Sequence, residues 1–548
     1  MILANTRTSP RQATGRGLRG SIGLPPDLMQ RWQARHPLTD GSDTTPELQH
    51  DSFACWIGQQ AISTASDWLG ILKREALDQV SGAFALAWRP APDTLWLYRD
   101  APGERSLFYA PVSGGLIFSS DLRDLIPMLP RQLNLQALAR YLSYAYLPGR
   151  ETLLQGVYQL LPGEALRWQH GQLQRQLFWE LPQTSAQQLS ERQWRDHLRD
   201  SLEQAVWRRY GGEPVHASLS GGVDSSLVVA LLARLSDEPV QTWSLAFGKA
   251  HRHELPFSER VALHCGSQHR VLQIQPRDIR QQLDTVMAQL GNPIGDPLTV
   301  PNALLFAQVA RESPILFNGE GGDPNFGGPK NIPMLLATLY DDPRTRADRY
   351  LKVYRKAYGD LPQLLTPAAW QALDLAALQA ELDPFLIDDS QLMAGLMRLN
   401  TVFKGAHHIL YKVNALSAPL GLQPASPLFD REVSALAASM PAELRLREAT
   451  EKHILKQAVA DLLPASILQR PKSGMQVPVE AWLQPRGPLH RWARQRILKG
   501  LTRYPYFDPR WLRQLMDWEL PGFLPRHGAK VWLLLSLESW LRTYLPEN

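Results

Sequence analysis

The stretch ASLSGGVDSSLVVALLARL, residues 217–235, decides how the second half of the chain folds. Its apolar start leads into the glycine pair Gly221 and Gly222, and apolar residues then recur at helical spacing. This pattern predicts a strand that ends at Leu219, a tight turn and a helix. Unpaired backbone N–H groups in the first helical turn favour an anion, and glycines let the backbone approach that anion closely.

The polar side chains of the turn indicate which anion it binds. Ser220, Ser225 and Ser226 offer hydroxyl donors, whereas the carboxylate of Asp224 repels a phosphate. An acid is favourable there only when Mg²⁺ stands between, since Mg²⁺ prefers one or two carboxylates together with phosphate oxygens. A purely structural turn needs neither the acid nor the paired serines. We therefore predict a site for Mg²⁺ and a phosphorylated ligand.

Sequence patterns divide the rest of the chain into domains. Residues 82–122 and 160–181 alternate short apolar runs with turn-forming residues, which predicts antiparallel hairpins. From residue 194 helical and strand patterns alternate, which predicts a parallel α/β unit, and the chain after Tyr340 is mostly helical. The predicted order is a flexible basic tail over 1–26, an antiparallel domain over 27–188, and a parallel α/β domain with a helical extension over 189–548.

Composition indicates a reducing compartment and no membrane or nucleic acid partner. Two cysteines, Cys55 and Cys265, among 548 residues are too few for a disulfide framework or a structural zinc site, so we predict a cytoplasmic protein. No apolar window reaches the roughly 18 residues of a membrane span. The net charge of +5 is typical of a mildly basic enzyme surface.

The segment SLSGGVDSS, residues 218–226, resembles the pyrophosphate-binding loop of the asparagine-synthetase-like ATP pyrophosphatases. That loop differs from the Walker-type loop in having no lysine. The resemblance implies that the protein uses ATP and Mg²⁺, cleaves ATP between its α and β phosphates, and adenylates a substrate. It further implies ATP contacts at Ser220, Gly221, Gly222, Asp224, Ser225, Ser226, Leu245, Phe247 and Gly319.

Two later segments resemble other functional parts of the same family. FNGEGGDPNFGG, residues 317–328, is similar to the second metal segment, which implies that Asp323 joins Asp224 as a Mg²⁺ ligand. Residues 451–475 match the region that carries the essential lysine, and this position falls on Lys472.

The amino-terminal hairpins and LYRDAPGERSLFYA, residues 97–110, resemble the glutaminase domain of these enzymes. This implies an antiparallel αββα sandwich first and a parallel-sheet ATP-pyrophosphatase domain second. A working glutaminase of this type needs a cysteine directly after the initiator methionine, where this sequence has Ile2 and Leu3. Cys55 lacks the free amine that serves as base, and we interpret it as a small buried hydrophobic residue. We expect a degenerate domain without glutaminase activity.

Loss of that cysteine is shared by β-lactam synthetases and by the macrolactam synthetases of lasso peptides. Residues 319–331 and 470–482 resemble the second class, whereas β-lactam synthetases place Tyr where Glu320 stands. The distinctive residues are Gly322, Pro324, Pro329 and Lys330. The resemblance implies a ligase that adenylates an Asp or Glu side chain of a ribosomally made precursor peptide. That side chain is then closed onto the peptide's N-terminal amine, which a partner cysteine protease releases.

Other functions remain open at this point. A β-lactam synthetase-like or an ammonia-dependent asparagine-synthetase-like ligase would use the same ATP chemistry. A tRNA-modifying ATP pyrophosphatase suits the basic surface but leaves the glutaminase-like domain unexplained. A scaffold that only binds a leader peptide would tolerate the loss of Asp224 and Lys472, and both are present.

Glu320 is the candidate base for amide formation. An α-amine has an unperturbed pKa of about 7.7–8.0, so a weak base frees it, provided that the pKa of Glu320 is raised toward neutrality. A salt-bridged structural role is the alternative for this residue. Lys330 and the helical region 340–410 are the places where we expect the peptide to be held folded.

Two further clusters receive structural interpretations. His251, His253, His264 and Cys265 fit no common zinc spacing, so we predict no metal there. The late tryptophans are predicted to form a carboxy-terminal helical core: Trp482, Trp492, Trp511 and Trp518.

Overall fold

The first half of the chain folds into two antiparallel sheets. The computed structural model describes residues 18–35, 52–57, 65–184, 189–212, 214–248, 254–328, 333–336, 342–354, 356–388, 392–447, 450–470, 474–522 and 526–545. The strands of this half are β1 (Arg19–Ile22), β2 (Ser52–Ile57), β3 (Phe84–Ala91), β4 (Thr94–Arg99), β5 (Phe108–Val112), β6 (Gly115–Ser119), β7 (Tyr158–Gln159), β8 (Glu164–Gln169) and β9 (Gln172–Leu177). One sheet has the order β1-β6-β5-β7 and the other β2-β3-β4-β8-β9.

Helices cover the outer face of each sheet. They are α1 (Pro26–Arg35), α2 (Ala65–Lys73), α3 (Leu122–Leu125) and α4 (Leu135–Tyr144). The two-residue period of a strand explains this layering, because Ala85 and Ala87 of β3 belong to the core between the sheets while Phe84 and Leu86 pack with α2. The predicted αββα sandwich is confirmed.

The predicted hairpins are also confirmed. Strands β8 and β9 pair in antiparallel register from Glu164↔Leu177 to Gln169↔Gln172. His170 and Gly171 form the turn with φ angles of 49° and 78°, and two successive positive φ values match the twist of a two-residue hairpin.

The predicted flexible tail over 1–26 is wrong in its last part. Arg19–Ile22 forms β1, which pairs antiparallel with β6, and α1 begins at Pro26. Ile22 is buried, and Gly20 lies against the ring of Phe118, where a side chain would collide. No local pattern marks this strand, because its pairing partner β6 lies far along the chain. Residues 1–17 lie outside the described ranges.

The second half contains a parallel sheet in the order β12-β11-β10-β13-β14. Its strands are β10 (His216–Ser218), β11 (Gln241–Ala246), β12 (Gln268–Gln273), β13 (Ile315–Phe317) and β14 (Gln423–Ala425), followed by the small pair β15 (Leu446–Arg447) and β16 (Thr450–Glu451). The helices around it are α5 (Glu191–Arg209), α6 (Val223–Leu235), α7 (Leu255–His264), α8 (Pro276–Leu290), α9 (Thr299–Val309) and α10 (Gly322–Phe326). The neighbouring strands pair in parallel, as predicted. The predicted boundary near residue 188 lies outside the described ranges and stays a prediction.

The remaining chain is helical, as predicted. The α-helices are α11 (Arg346–Tyr354), α12 (Leu361–Leu364), α13 (Pro367–Gln371), α14 (Leu375–Ala380), α15 (Asp383–Leu386), α16 (Leu392–Leu399), α17 (Tyr411–Ser417), α18 (Arg431–Ser439), α19 (Ala442–Arg445), α20 (His453–Ala458), α21 (Ala465–Leu468), α22 (Val479–Leu483), α23 (His490–Gly500), α24 (Pro509–Met516) and α25 (His527–Tyr544). A π-helix, Asn400–Leu410, joins α16 to α17. Within the described ranges, no helix has both the length and the apolar character needed to cross a bilayer.

One apolar core connects the two halves. It includes Tyr141 of α4, Trp243 of β11 and Trp532 of α25, all of them buried. The late tryptophans belong to this core as predicted, since Trp482 and Trp511 are buried in it and Trp492 and Trp518 pack against it. The first half is therefore packed directly onto the second.

Buried charges lie at the same junction. Arg209, the last residue of α5, donates to Glu104 at 2.8 Å and to Asp430 at 2.6 Å. The three side chains are between 1 and 6 % exposed. Arg105 donates to the side-chain oxygen of Asn414 at 2.7 Å. The loop after β4 is thereby fixed to α5 and to α17.

We expect Arg209→Ala to lower the free energy of unfolding by about 3–5 kcal/mol, because it leaves Glu104 and Asp430 buried without their shared cation. Urea denaturation of the full chain measures the effect. Arg195→Ala is the control on the same helix, since Arg195 and Asp196 form an exposed pair, worth about 0–1 kcal/mol. Equal losses in the two variants would show that the buried cluster does not hold the halves together.

Candidate active site

The turn after β10 places the N-terminus of α6 at the wall of a cavity. Gly221 has a φ of 75°, and a Cβ there would lie 2.5 Å from the backbone nitrogen of Ser258, so both conformation and space require glycine. Gly222 precedes the first residue of α6. The hydroxyls of Ser220 and Ser225 lie 3.1 Å apart, and the Ser225 hydroxyl accepts the backbone N–H of Ser220 at 3.1 Å. The serines hold the turn in shape.

Two carboxylates converge on one buried ammonium beside this turn. Lys452 Nζ lies 2.5 Å from Asp224 Oδ2 and 2.5 Å from Asp323 Oδ1. Lys452 is 2 % exposed and adopts φ 60° and ψ 32°, a left-handed conformation at the start of α20. Two carboxylates this close repel each other, and the ammonium offsets that repulsion. Sequence reasoning did not single out Lys452.

Glycines bring α10 onto the first turn of α6. A Cβ on Gly322 would overlap the carboxylate of Asp224, and a Cβ on Gly319 would overlap the backbone of Ser225. Gly321 has a φ of 111°, which side chains rarely adopt. The spacing of glycines in residues 319–322 is therefore what lets Asp323 approach Asp224.

The same carboxylate pair fits Mg²⁺. Both side chains line the cavity and are hard oxygen donors, the kind of ligand that Mg²⁺ prefers. In the part of the chain that the structure describes, no three His, Cys, Asp or Glu side chains form a complete metal cage. Mg²⁺ is suited to such a partial site, because it usually keeps waters and phosphate oxygens as its other ligands. Asp224 and Asp323 are the residues that would hold it.

The cavity beside the turn has a volume of about 770 Å³, in the upper part of the roughly 300–1,000 Å³ range of ligand sites. Tyr144 and Ala145, from the end of α4, form part of its wall. The first half of the chain therefore contributes to a site that lies mainly in the second half.

A lysine cluster lines the same cavity: Lys356, Lys404 and Lys412, accompanied by Asp296 and His408. Lys412 Nζ lies 2.7 Å from Asp296 Oδ2, and His408 Nε2 lies 3.2 Å from it. Although burial opposes ionisation, Lys412 and His408 hold the pKa of Asp296 well below its usual range. Burial lowers the pKa of His408 to about 4. His408 is therefore neutral at pH 7 and donates its Nε2–H to the ionised Asp296.

Backbone geometry aligns part of this cluster. Asn400, Lys404, His408 and Lys412 recur every fourth residue along the π-helix and the start of α17, and all four line the cavity. π-Helical turns are rare and often occur at functional sites.

Glu320 lies close enough to Lys412, Lys404 and Asp323 for their charges to act on it. Its backbone N–H donates to Asn318 Oδ1 at 3.0 Å, and its side chain lines the cavity. Burial raises the pKa of Glu320 above its usual value, while the nearby charges of Lys412 and Lys404 oppose this rise. Glu320 thus meets the condition set for a weak base, a pKa shifted toward neutrality.

The structure brings many of the predicted residues together but not all. Those that line the cavity are Ser220, Asp224, Ser225, Leu245, Gly319, Glu320 and Asp323. Those outside its lining are Gly221, Gly222, Ser226 and Phe247; Ser226 is fully buried, and Phe247 packs edge-on against Trp482 with ring centres 6.1 Å apart.

Lys472 lies outside the described residues, so its predicted role stays a prediction. Its neighbours are near the site, since Gly474 lines the cavity and Arg470 donates to the backbone oxygen of Gly221 at 3.3 Å. Lys330 also lies outside the described ranges.

Only two of the four residues His251, His253, His264 and Cys265 lie within the described ranges. His264 Nε2 lies 3.1 Å from the backbone oxygen of Leu462, and Cys265 is half-buried. Burial raises the pKa of the Cys265 thiol to about 11. His251 and His253 lie outside the described ranges.

Family models match most of the chain. The model described as "Asparagine synthase" matches residues 197–542, and the model described as "Glutamine amidotransferase domain" matches residues 66–179.

Individual relatives have low sequence identity to this chain but align with it over long stretches. Asparagine synthetase [glutamine-hydrolyzing] 1 of Bacillus subtilis is 22% identical over 534 residues, which cover 87% of this chain and 80% of that protein. Asparagine synthetase [glutamine-hydrolyzing] of Gallus gallus is 24% identical over 371 residues, 62% of this chain and 55% of that protein. Carboxyethyl-arginine beta-lactam-synthase of Streptomyces clavuligerus is 26% identical over 281 residues, 51% of this chain and 43% of that protein.

We expect Gly322→Ala to weaken ATP binding by about tenfold to a hundredfold, because a Cβ at this position displaces the Asp224 carboxylate and overpacking costs about 1–3 kcal/mol. Titration calorimetry with Mg²⁺ and ATP measures the affinity. Gly359→Ala is the control, since a Cβ there meets nothing within 4 Å. Unchanged binding by Gly322→Ala would place the nucleotide elsewhere.

Proposed function

The chain belongs to the asparagine synthase family, and from this premise we propose that it is an ATP-dependent ligase that closes a precursor peptide into a lasso-type macrolactam. The reaction joins an Asp or Glu side-chain carboxylate to the peptide's N-terminal amine. Amide formation with ATP is the chemistry of the family, and the peptide substrate is our more specific proposal. The observation that carries the ligase chemistry is the convergence of Asp224, Asp323 and Lys452 at the N-terminus of α6.

In the first step the substrate carboxylate attacks the α-phosphorus of ATP, and pyrophosphate leaves. The N-terminus of α6 and the hydroxyls of Ser220 and Ser225 are placed to bind the departing phosphates. Lys452 offers a buried positive charge at the same point, and Lys472 is proposed as a second one. Mg²⁺ held by Asp224 and Asp323 would offset the negative charge of the phosphates.

In the second step the amine attacks the acyl-adenylate, and AMP leaves. The nitrogen must lose a proton as the amide forms, and Glu320 accepts it. A carboxylate with a raised pKa suits this role, because general bases work best when their pKa lies near the working pH. Glu320 lines the same cavity as the carboxylate pair, so both steps fit one site.

The cysteines support an amine that arrives with the substrate rather than as ammonia from glutamine. Cys55 lies within β2, where its nitrogen belongs to a peptide bond and is no free amine. Cys265 follows α7, and its raised pKa makes it a poor nucleophile. The first strand of the sandwich, β1, carries no cysteine.

Ring closure has a precedent among the relatives. The Streptomyces clavuligerus protein is named as a beta-lactam-synthase, and a β-lactam is a cyclic amide. An amine and a carboxylate of one substrate molecule therefore need only be held together in the site. A cysteine protease that exposes the peptide's amine remains part of the proposal.

We predict that the protein converts ATP to AMP and pyrophosphate only when a peptide with a suitably placed Asp or Glu and a free N-terminal amine is present. Nucleotide products are measured by chromatography and the macrocycle by mass spectrometry, which detects the loss of one water. Aspartate with ammonium chloride is the comparison substrate. Amide formation from aspartate alone would instead establish an ammonia-dependent asparagine synthetase, and ADP as product would refute adenylation.

We further predict that Glu320→Gln slows macrocycle formation by about 10²–10⁴ while it affects pyrophosphate release much less, because it removes the base and keeps the shape. Below the raised pKa of Glu320 the wild type loses its base, so ring closure should rise with pH through that pKa. Glu320→Gln should lack this rise. Glu312→Gln, at an exposed position, is the control. Equal loss of both products in Glu320→Gln would assign it to activation instead.

A further inference from the structure

The lysine cluster holds more positive charge than its own acids neutralise. Three ammonium groups, Lys356, Lys404 and Lys412, line the cavity with the carboxylates Asp296 and Glu320. Lys412 is paired with Asp296 at 2.7 Å. Among the residues that the structure describes, neither Lys356 nor Lys404 forms an ion pair with a carboxylate.

The environment of Lys356 shows that its charge is poorly compensated. Burial lowers the pKa of Lys356, and the neighbouring charge of Lys404 acts in the same direction, while Asp296 opposes them. Both lysines are half-buried on the cavity wall. An anionic ligand between them would oppose this lowering of the Lys356 pKa and favour its charged form.

The reaction itself narrows the identity of the anion. The carboxylate that attacks ATP becomes an uncharged acyl group in the adenylate, so lysines that bound it would lose their partner before the amine attacks. A second carboxylate on the same substrate keeps its charge through both steps and can hold the substrate in place.

We propose that Lys356 and Lys404, which line the cavity, bind a carboxylate of the substrate other than the one that ATP activates. This inference rests on the proposed ligase function. It specifies that the peptide whose side chain is activated carries at least one further carboxylate near that reactive side chain. Neutral substrates of the same shape bind more weakly.

Chemical labelling tests the site without any turnover. Pyridoxal phosphate, an anionic aldehyde, forms an imine with an unprotonated lysine, and borohydride reduces that imine to a stable amine that mass spectrometry locates. The probes are succinate, which carries two carboxylates, its uncharged diamide, and ATP with Mg²⁺. Surface Lys352, which pairs with Asp348 at 2.6 Å, is the internal reference.

We expect Lys356 to be labelled faster than Lys352, and succinate to protect both Lys356 and Lys404 while the diamide does not. In Lys404→Met, protection of Lys356 should require about tenfold to a hundredfold more succinate, because a charge-assisted hydrogen bond is lost. Lys404→Arg should retain protection. Equal protection by the diamide, or no protection at all, would overturn the site.

The protection experiment with ATP and Mg²⁺ distinguishes a failure of this inference from a failure of the proposed function. Complete protection by ATP and Mg²⁺ alone would assign the lysines to phosphate binding and overturn the second-carboxylate site, whatever the enzyme joins. If succinate protects the lysines but the protein forms no macrocycle, the carboxylate site is supported and only the peptide-closing reaction is refuted.

Discussion

The ion cluster of Lys452 with Asp224 and Asp323 is the constraint on which the site depends. Each carboxylate comes from a different helix, and both approach one ammonium at 2.5 Å. Bringing like charges together in a buried site is unfavourable unless a cation lies between them. The glycines at 319 and 322, and the left-handed conformation of Lys452, are local features that this geometry requires. The parallel sheet positions these elements by placing β10 directly beside β13.

The amidotransferase-like half contributes to this site by packing. Arg105 donates to Asn414, two residues beyond Lys412 on the same helix. Tyr144 and Ala145 complete the cavity wall. Because one apolar core runs through both halves, the first half cannot be removed without exposing the second. The packing of the first half therefore supports the site that lies mainly in the second half.

Sequence alone predicted the elements whose signals are local. The glycine turn, the hairpin at His170 and Gly171, and the parallel α/β order follow from turn chemistry and hydrophobic period, and the structure contains all of them. Lys452 could not be identified in this way, because its partners are distant in sequence. Asp224 is 228 residues away and Asp323 is more than 100 residues away, so only the fold brings them together. The row Asn400, Lys404, His408 and Lys412 did carry a signal, a four-residue spacing of polar residues in an apolar helical stretch. The strand at Arg19–Ile22 was hidden because its pairing with β6 is non-local.

Nucleotide binding by variants of the ion cluster is the most direct test of the central claim, that Asp224, Asp323 and Lys452 form the phosphate end of an ATP site. Affinity for a non-hydrolysable ATP analogue is measured by calorimetry, with and without Mg²⁺, in the wild type and in Asp323→Asn. The account predicts that Mg²⁺ strengthens binding in the wild type and that Asp323→Asn removes this dependence, with thermal unfolding as a check that the variant is folded. Binding that is equally tight and equally dependent on Mg²⁺ in Asp323→Asn would contradict it.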